Sequence, residues 1–250
     1  MALGKFIAFE GIDGSGLTTQ VDLLRRALDK QGWMSFLTKE PTDGPAGGII
    51  RLVLRHRLLA ARNRMTASRS KAGGPQQIEP EGLNPATVAL LFAADRMDHL
   101  SGDVIPMLEQ GVTVITDRYW LSSFAYQTAG DLELDWVRQI NSKALRPDLT
   151  LFFDVPVGVA RKRIDANRWH AELYETQAKM EQVRENYLLC IRALQAEGHR
   201  IVAIDGTPPA DLVHRSVWRI VRALLTNSSI DSFLKGQLEL IGNPSSGIEG

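Results

Sequence analysis

The run Gly11-Ile12-Asp13-Gly14-Ser15-Gly16-Leu17-Thr18-Thr19 stands between a short apolar segment and an amphipathic one. Gly11, Gly16 and Thr18 occupy the fixed positions of the pattern G-x-x-x-x-G-K-[ST]. Glycines let successive backbone N–H groups curl around an anion, and a helix that starts there adds partial positive charge. The Thr18 hydroxyl can meet a divalent cation that bridges nucleotide phosphates. A glycine turn joining strand to helix is the plain alternative, but the preceding strand, the spacing and the Thr18-Thr19 pair favour the anion cradle. The lysine of the pattern is missing: position 17 is Leu17, with no donor and no charge. That lysine normally contacts the phosphates of a phosphoryl donor and stabilises charge during transfer. Leu17 leaves three readings open: an engineered inactivating change, a binding protein that has lost turnover, and a site whose other cations compensate.

Four further stretches carry reactive or phosphate-binding side chains. Lys39-Glu40-Pro41-Thr42 follows the second apolar run. Phe92 and Arg96 lie four apart, on one face of the helical segment 89–100. An arginine in an otherwise apolar Leu-Leu-Phe-Ala-Ala setting needs a partner, and a nucleotide would supply one. Asp117-Arg118 ends another apolar run and is followed by Ser122, Tyr126 and Gln127. Arginine offers phosphate a two-pronged contact that lysine cannot imitate. The fourth stretch holds Arg161, Lys162 and Arg163 with Arg168, Glu172 and Glu175. Alone, Phe92 reads as a core residue and Arg161 and Lys162 as a charged helix face, while a structural ion pair is the plain alternative for Asp117-Arg118.

These stretches need a frame, and the apolar runs 5–10, 34–38, 112–116, 150–154 and 200–204 supply it. Each is compact and without strict alternation, as expected of strands buried on both faces. Between them, Val21, Leu24 and Leu28 share a helical face closed by Gly32, while 172–197 and 208–225 read as further helices. Strand–helix alternation predicts an α/β fold with a parallel sheet covered on both sides. Ligands of such sheets bind beyond the carboxyl ends of the strands, where the candidate residues fall. Segment 51–78 holds seven Arg or Lys and no acid, and reads as a solvated helix face running into a loop. Segment 226–250 is a tail rich in Ser, Gly and Asn.

Composition narrows the partners. With 29 Lys plus Arg against 29 Asp plus Glu in 250 residues, the zero balance argues against nucleic acid or anionic membrane. No apolar run approaches the roughly 20 residues of a bilayer span, and a single cysteine, Cys190, fits a reducing, cytoplasmic compartment.

Taken in order, the five stretches resemble the thymidylate kinases, nucleoside monophosphate kinases, over about residues 4–225. The resemblance implies a P-loop NTPase fold: a five-stranded parallel sheet with helices on both faces and a helical lid. It implies one domain, 1–225, with a basic insert at 51–84, a lid at 161–175 and a tail at 226–250. The implied reaction is ATP-dependent phosphorylation of dTMP to dTDP, with Mg²⁺, in a cytoplasmic homodimer. Gly11 to Thr19 would bind ATP, with Thr18 and Asp117 at the metal. Phe92 would stack on thymine, Arg96 would meet a base oxygen, and Gln127 would lie beside the base. Lys39 and Arg118 would serve the acceptor phosphate, Ser122 would belong to the substrate site, and Tyr126 would crowd the sugar 2′ position. Asp13, Asp117, Arg118, Arg163 and Arg168 are then the catalytic candidates. Lys39 stands where the family usually has arginine, so it keeps the charge but loses the planar fork. With Leu17, it keeps a catalytically impaired nucleotide-binding paralogue, or a kinase for another deoxynucleotide, as alternatives.

Overall fold

The computed structural model describes residues 3–62, 79–130, 132–167 and 176–228. Its frame is a sheet of five parallel strands: β1 (Phe6–Gly11), β2 (Ser35–Lys39), β5 (Thr113–Asp117), β6 (Leu149–Asp154) and β7 (Ile201–Asp205). Their order across the sheet is β2-β5-β1-β6-β7. All five strands expected from the sequence are present, each end within one residue of its expected place. The short antiparallel pair β3 (Ala60–Arg62) and β4 (Glu79–Glu81) was not expected; three-residue strands carry too little periodicity to be seen.

Both faces of the sheet are covered, which explains why the central strands read as unbroken apolar runs. On one face α1 (Leu17–Lys30) and α9 (Ala210–Leu225) pack against Ile7, Phe9, Leu151 and Val202. The buried positions of α1, namely Leu17, Gln20, Val21, Leu24 and Leu28, follow the helical period. The helix stops where Gly32 takes a positive φ of 74°. On the other face α5 (Trp120–Thr128) and α8 (Gln177–Ala196), the latter through Tyr187 and Ile191, cover Phe152. Beside them, α3 (Pro85–His99) runs through a π-helical turn, Leu100–Val104, into α4 (Ile105–Glu109). Leu100 and Val104 cover Phe6 and Val114. The remaining helices are α2 (Pro45–Leu54), α6 (Leu134–Ile140) and α7 (Val157–Asn167).

The expected solvated basic face needs one correction. Arg51 lies within α2 and is only partly exposed; it donates to the carbonyls of Pro41 and Thr42 and pairs with Asp43 at 3.3 Å. It therefore ties α2 to the loop that follows β2. Residues 63–78 of the insert and 229–250 of the tail lie outside the described residues. Among the described residues no helix is long and apolar enough to cross a membrane.

Candidate active site

Because all five strands run the same way, their carboxyl ends gather on one edge, and the candidate residues gather with them. After β1 the chain turns through Gly14 (φ 79°) and Gly16 (φ 96°), left-handed values that favour glycine. Gly16 is also the cap of α1, so the loop's N–H groups and the helix terminus face one cavity of about 310 Å³. A Cβ on Gly14 would strike the carbonyl oxygen of Ala160, which shows how closely α7 covers the loop. Asp13, Ser15, Thr18, Thr19, Asp117 and Arg118 are among the residues lining the cavity. Leu17 is 6% exposed and belongs to the apolar cluster of Phe9, Val21 and Leu24. Among the described residues that line the cavity, Arg118 is the sole basic one.

Asp117 ends β5, the strand beside β1, Arg118 follows it, and both meet the glycine loop directly. Thr18 Oγ1 donates to Asp117 Oδ2 at 2.9 Å. Two hard oxygen donors, one at the start of α1 and one at the end of β5, fit Mg²⁺, which takes few protein ligands and leaves other positions to phosphate and water. Arg118 has a φ of 71°, unusual for a residue with a side chain, and its N–H donates to Phe9 O at 2.9 Å. Its guanidinium donates to Gly11 O at 3.0 Å, to Ser122 Oγ at 3.3 Å and to Asp13, and lies 5.2 Å from the Tyr126 ring centre. The structure thus brings together Asp13, Thr18, Asp117, Arg118, Ser122 and Tyr126. Gln127, next along α5, keeps Oε1 buried without a hydrogen-bond partner among the described residues.

On the far side of Asp117, a second cavity of about 580 Å³ is lined by Lys39, Thr42, Asp98 and His99, among others. Phe92, on α3, is half-buried and stands outside the apolar clusters of the described residues. Arg96 has protein partners of its own. It is 1% exposed, and its Nε and Nη2 donate to Glu40 Oε2 at 2.9 and 2.6 Å. Further bonds reach Asn141 and Ser123 Oγ, and Tyr119 lies under the guanidinium. A buried arginine does need a partner, and here an acid after β2 supplies one. Glu40 also meets His99 Nδ1 at 3.1 Å, while His99 Nε2 meets Thr38 Oγ1 at 2.7 Å. Asp95 accepts from Thr42 N and Oγ1 at 2.8 and 2.6 Å. This polar core clamps the loop after β2, and with it Lys39, against α3.

The expected lid residues divide. Arg163, on α7, donates to Gly206 O at 2.9 Å and Thr207 O at 3.0 Å. It binds α7 to the turn before α9, whose carbonyls need donors, and does not line the phosphate cavity. Arg168, Glu172 and Glu175 lie outside the described residues.

Sequence reasoning missed Glu10. It is fully buried at the end of β1, under the glycine loop. Its carboxylate accepts from Tyr119 N at 3.0 Å, Ser122 N at 3.2 Å, Ser122 Oγ at 2.5 Å and Tyr187 Oη at 3.2 Å. Burial pushes its pKa up from 4.5 to about 7, although Ser122 and Arg118 pull the other way. The available signal was an acid ending an otherwise apolar strand.

A glycine loop between a central strand and its helix, with Asp-Arg at the end of the neighbouring strand, defines an α/β protein built to hold nucleotide phosphates. Comparison with known proteins narrows the class. The family described as "Thymidylate kinase" matches residues 9–71 and 75–217. A protein of Pyrococcus abyssi called "Probable thymidylate kinase" is 42% identical over 186 residues, 74% of this chain and 82% of that one. One of Thermococcus kodakarensis with the same name is 34% identical over 220 residues, 88% of this chain and 98% of its own. Another, of Pyrobaculum calidifontis, is 36% identical over 222 residues, 89% and 98% of the two chains. The chain belongs to the thymidylate kinase family.

Proposed function

We propose that the protein transfers the γ-phosphoryl group of ATP to dTMP, giving dTDP and ADP. The observation that carries this reading is the meeting of Arg118 with Asp13 and Gly11 at the edge of the glycine loop. A dTMP phosphate bound to Arg118 there would lie against a donor phosphate held in the loop. An oxygen of the acceptor phosphate attacks the γ-phosphorus, the bond to the β–γ bridging oxygen breaks, and ADP leaves with that electron pair. An already anionic nucleophile needs no strong base, so catalysis is positioning and charge stabilisation. Thr18 and Asp117 would hold Mg²⁺, which neutralises charge on the donor phosphates. Phe92 serves the thymine ring, and the orphaned Gln127 Oε1 suits a donor on the base. Arg96 acts one step back, holding Glu40 and so the loop that carries Lys39.

ADP formation that depends on dTMP, ATP and Mg²⁺ tests the reading, and no turnover with dTMP would overturn it. Two substitutions separate the roles. Arg118→Ala removes charged hydrogen bonds to phosphate, so turnover falls about 10- to 100-fold while ATP binding is kept. Phe92→Ala removes stacking and raises half-saturation by dTMP about 5- to 100-fold with little change in kcat. Equal loss of ATP and dTMP binding in Arg118→Ala would remove the role given to Arg118. An unchanged dTMP requirement would return Phe92 to packing.

A homodimer in the cytoplasm belongs to the same proposal. Exposed Ile49 and Leu52 on α2, with Leu90 and Met97 on α3, form an apolar set that a second copy would bury. Sedimentation at several concentrations checks it, and a monomer throughout would count against that face.

A further inference from the structure

Glu10 is the buried acid that phosphoryl transfer, as described, leaves without a task. Removing a lone carboxylate from water is unfavourable, and a valine or threonine would complete β1 without that penalty. Its surroundings explain its presence. Each of its oxygens holds part of the turn that carries Arg118: Oε1 takes the N–H groups of Tyr119 and Ser122, and Oε2 takes the Ser122 hydroxyl. That hydroxyl, its proton directed to Glu10, is left as an acceptor for Arg118 Nη1 at 3.3 Å and lies 2.7 Å from Tyr187 Oη. Arg118 itself has a left-handed backbone that a side chain disfavours, and such a conformation persists only where neighbours impose it. The hydrogen bonds of Glu10 fall on the residue that follows Arg118 and on the hydroxyl that receives its guanidinium.

We propose that Glu10 is a positioning residue for the acceptor phosphate: through Tyr119 N–H and Ser122 it fixes the strained turn that aims Arg118 at the glycine loop. The proposal rests on the kinase reading above for the identity of the phosphate, but the placement of Arg118 does not. The ionised form accepts these hydrogen bonds most strongly, because charge-assisted bonds exceed neutral ones. The charged groups that act on it are Arg118, after β5, and Arg96 from α3, while Asp13 in the glycine loop and Asp117 at the end of β5 face Arg118. Tyr119 precedes α5, Tyr126 lies on it, and Tyr187 comes from α8. The two arginines favour the carboxylate, and burial opposes it.

Glu10→Gln keeps the shape and the acceptor on Oε1 but removes the charge. Expected is a fall of about 10- to 100-fold in kcat/KM for dTMP, with KM for ATP changed by no more than about twofold. In the wild type kcat/KM rises through about pH 7 as Glu10 ionises, and in Glu10→Gln that limb is lost. The second ionisation of dTMP, at about pH 6, is common to both proteins and cancels in their ratio. Stability distinguishes positioning from plain structure. A carboxyl whose pKa rises on folding contributes stability at low pH and loses it as pH climbs from 4.5 to about 7. Glu10→Gln is therefore expected to melt no lower than the wild type at pH 8, whereas a structural acid would be missed. The side-chain Nε–H resonance of Arg118, followed by nitrogen NMR, reads its placement without any substrate. It is expected sharp and protected in the wild type and broadened in Glu10→Gln and Ser122→Ala. Wild-type kinetics with an unmoved Arg118 resonance would overturn the proposal, as would equal loss for both substrates with lower melting at pH 8. If the wild type itself does not phosphorylate dTMP, the kinase reading falls, and the resonance alone decides on Glu10.

Discussion

Arg96→Met lowers the stability of the fold by about 3–5 kcal/mol, the usual result of removing one partner from a buried ion pair. Arg96 and Glu40 are both buried, so the substitution leaves a carboxylate facing methionine, with only His99 and protein dipoles beside it. Asn141 and Ser123 lose a donor as well. In a chain of this size each kcal/mol corresponds to about 2–4 °C, so the melting point falls on the order of 10 °C. Urea or thermal unfolding measures it. The double variant Glu40→Gln with Arg96→Met removes the stranded charge and should recover much of the loss. A single-variant effect under about 1 kcal/mol would mean that Arg96 is not held as described and is available to a ligand. Because Glu40 adjoins Lys39 and the clamped loop, dTMP binding should weaken in parallel with stability, without the separate loss expected of Phe92→Ala.

How far the sequence could be read follows from the range of each interaction. The strands were legible because burial on both faces leaves compact apolar runs such as Phe6-Ile7-Ala8-Phe9. The glycine loop was legible because its geometry depends on consecutive residues. Asp117 and Arg118 were legible as a pair because one strand end holds both. What escaped depends on side chains distant in sequence: Glu40 meets Arg96 across 56 residues, and Glu10 meets Tyr187 across 177. Arg96 shows the difference. Its need for a partner could be argued from a helix that is otherwise apolar, but two candidate classes satisfy that need equally on paper. Only the packing of α3 against the loop after β2 brings the acid to it. Arg163 is similar: its charge invites a phosphate, and the carbonyls of Gly206 and Thr207 take it first.

Leu17→Lys raises the rate of phosphoryl transfer on the order of 10²–10³-fold, about 2.7–4 kcal/mol for one preorganised charge contact in the transition state. The geometry allows the gain. Leu17 is the first residue of α1, directly after Gly16, and lines the phosphate cavity while its side chain packs on Phe9 and Val21. A lysine stem can follow the same apolar surface and carry its ammonium out toward the phosphates. Without nucleotide the change has a cost: a cation at a helix N-terminus opposes the helix dipole by about 0.3–1 kcal/mol, and buried apolar contact is lost. The variant should therefore melt lower than the wild type when empty and recover with ATP and magnesium. Single-turnover measurements on both proteins, with dTMP affinity taken by calorimetry, separate the outcomes. Faster transfer with equal dTMP affinity means that the wild-type site works with Arg118 as its main cation at the loop, short of one charge. Equal rates would sink the prediction and show that another cation already does the missing lysine's work. Arg163 would have to leave the carbonyls of Gly206 and Thr207 to serve, and Arg163→Ala would then slow the wild type more than Leu17→Lys.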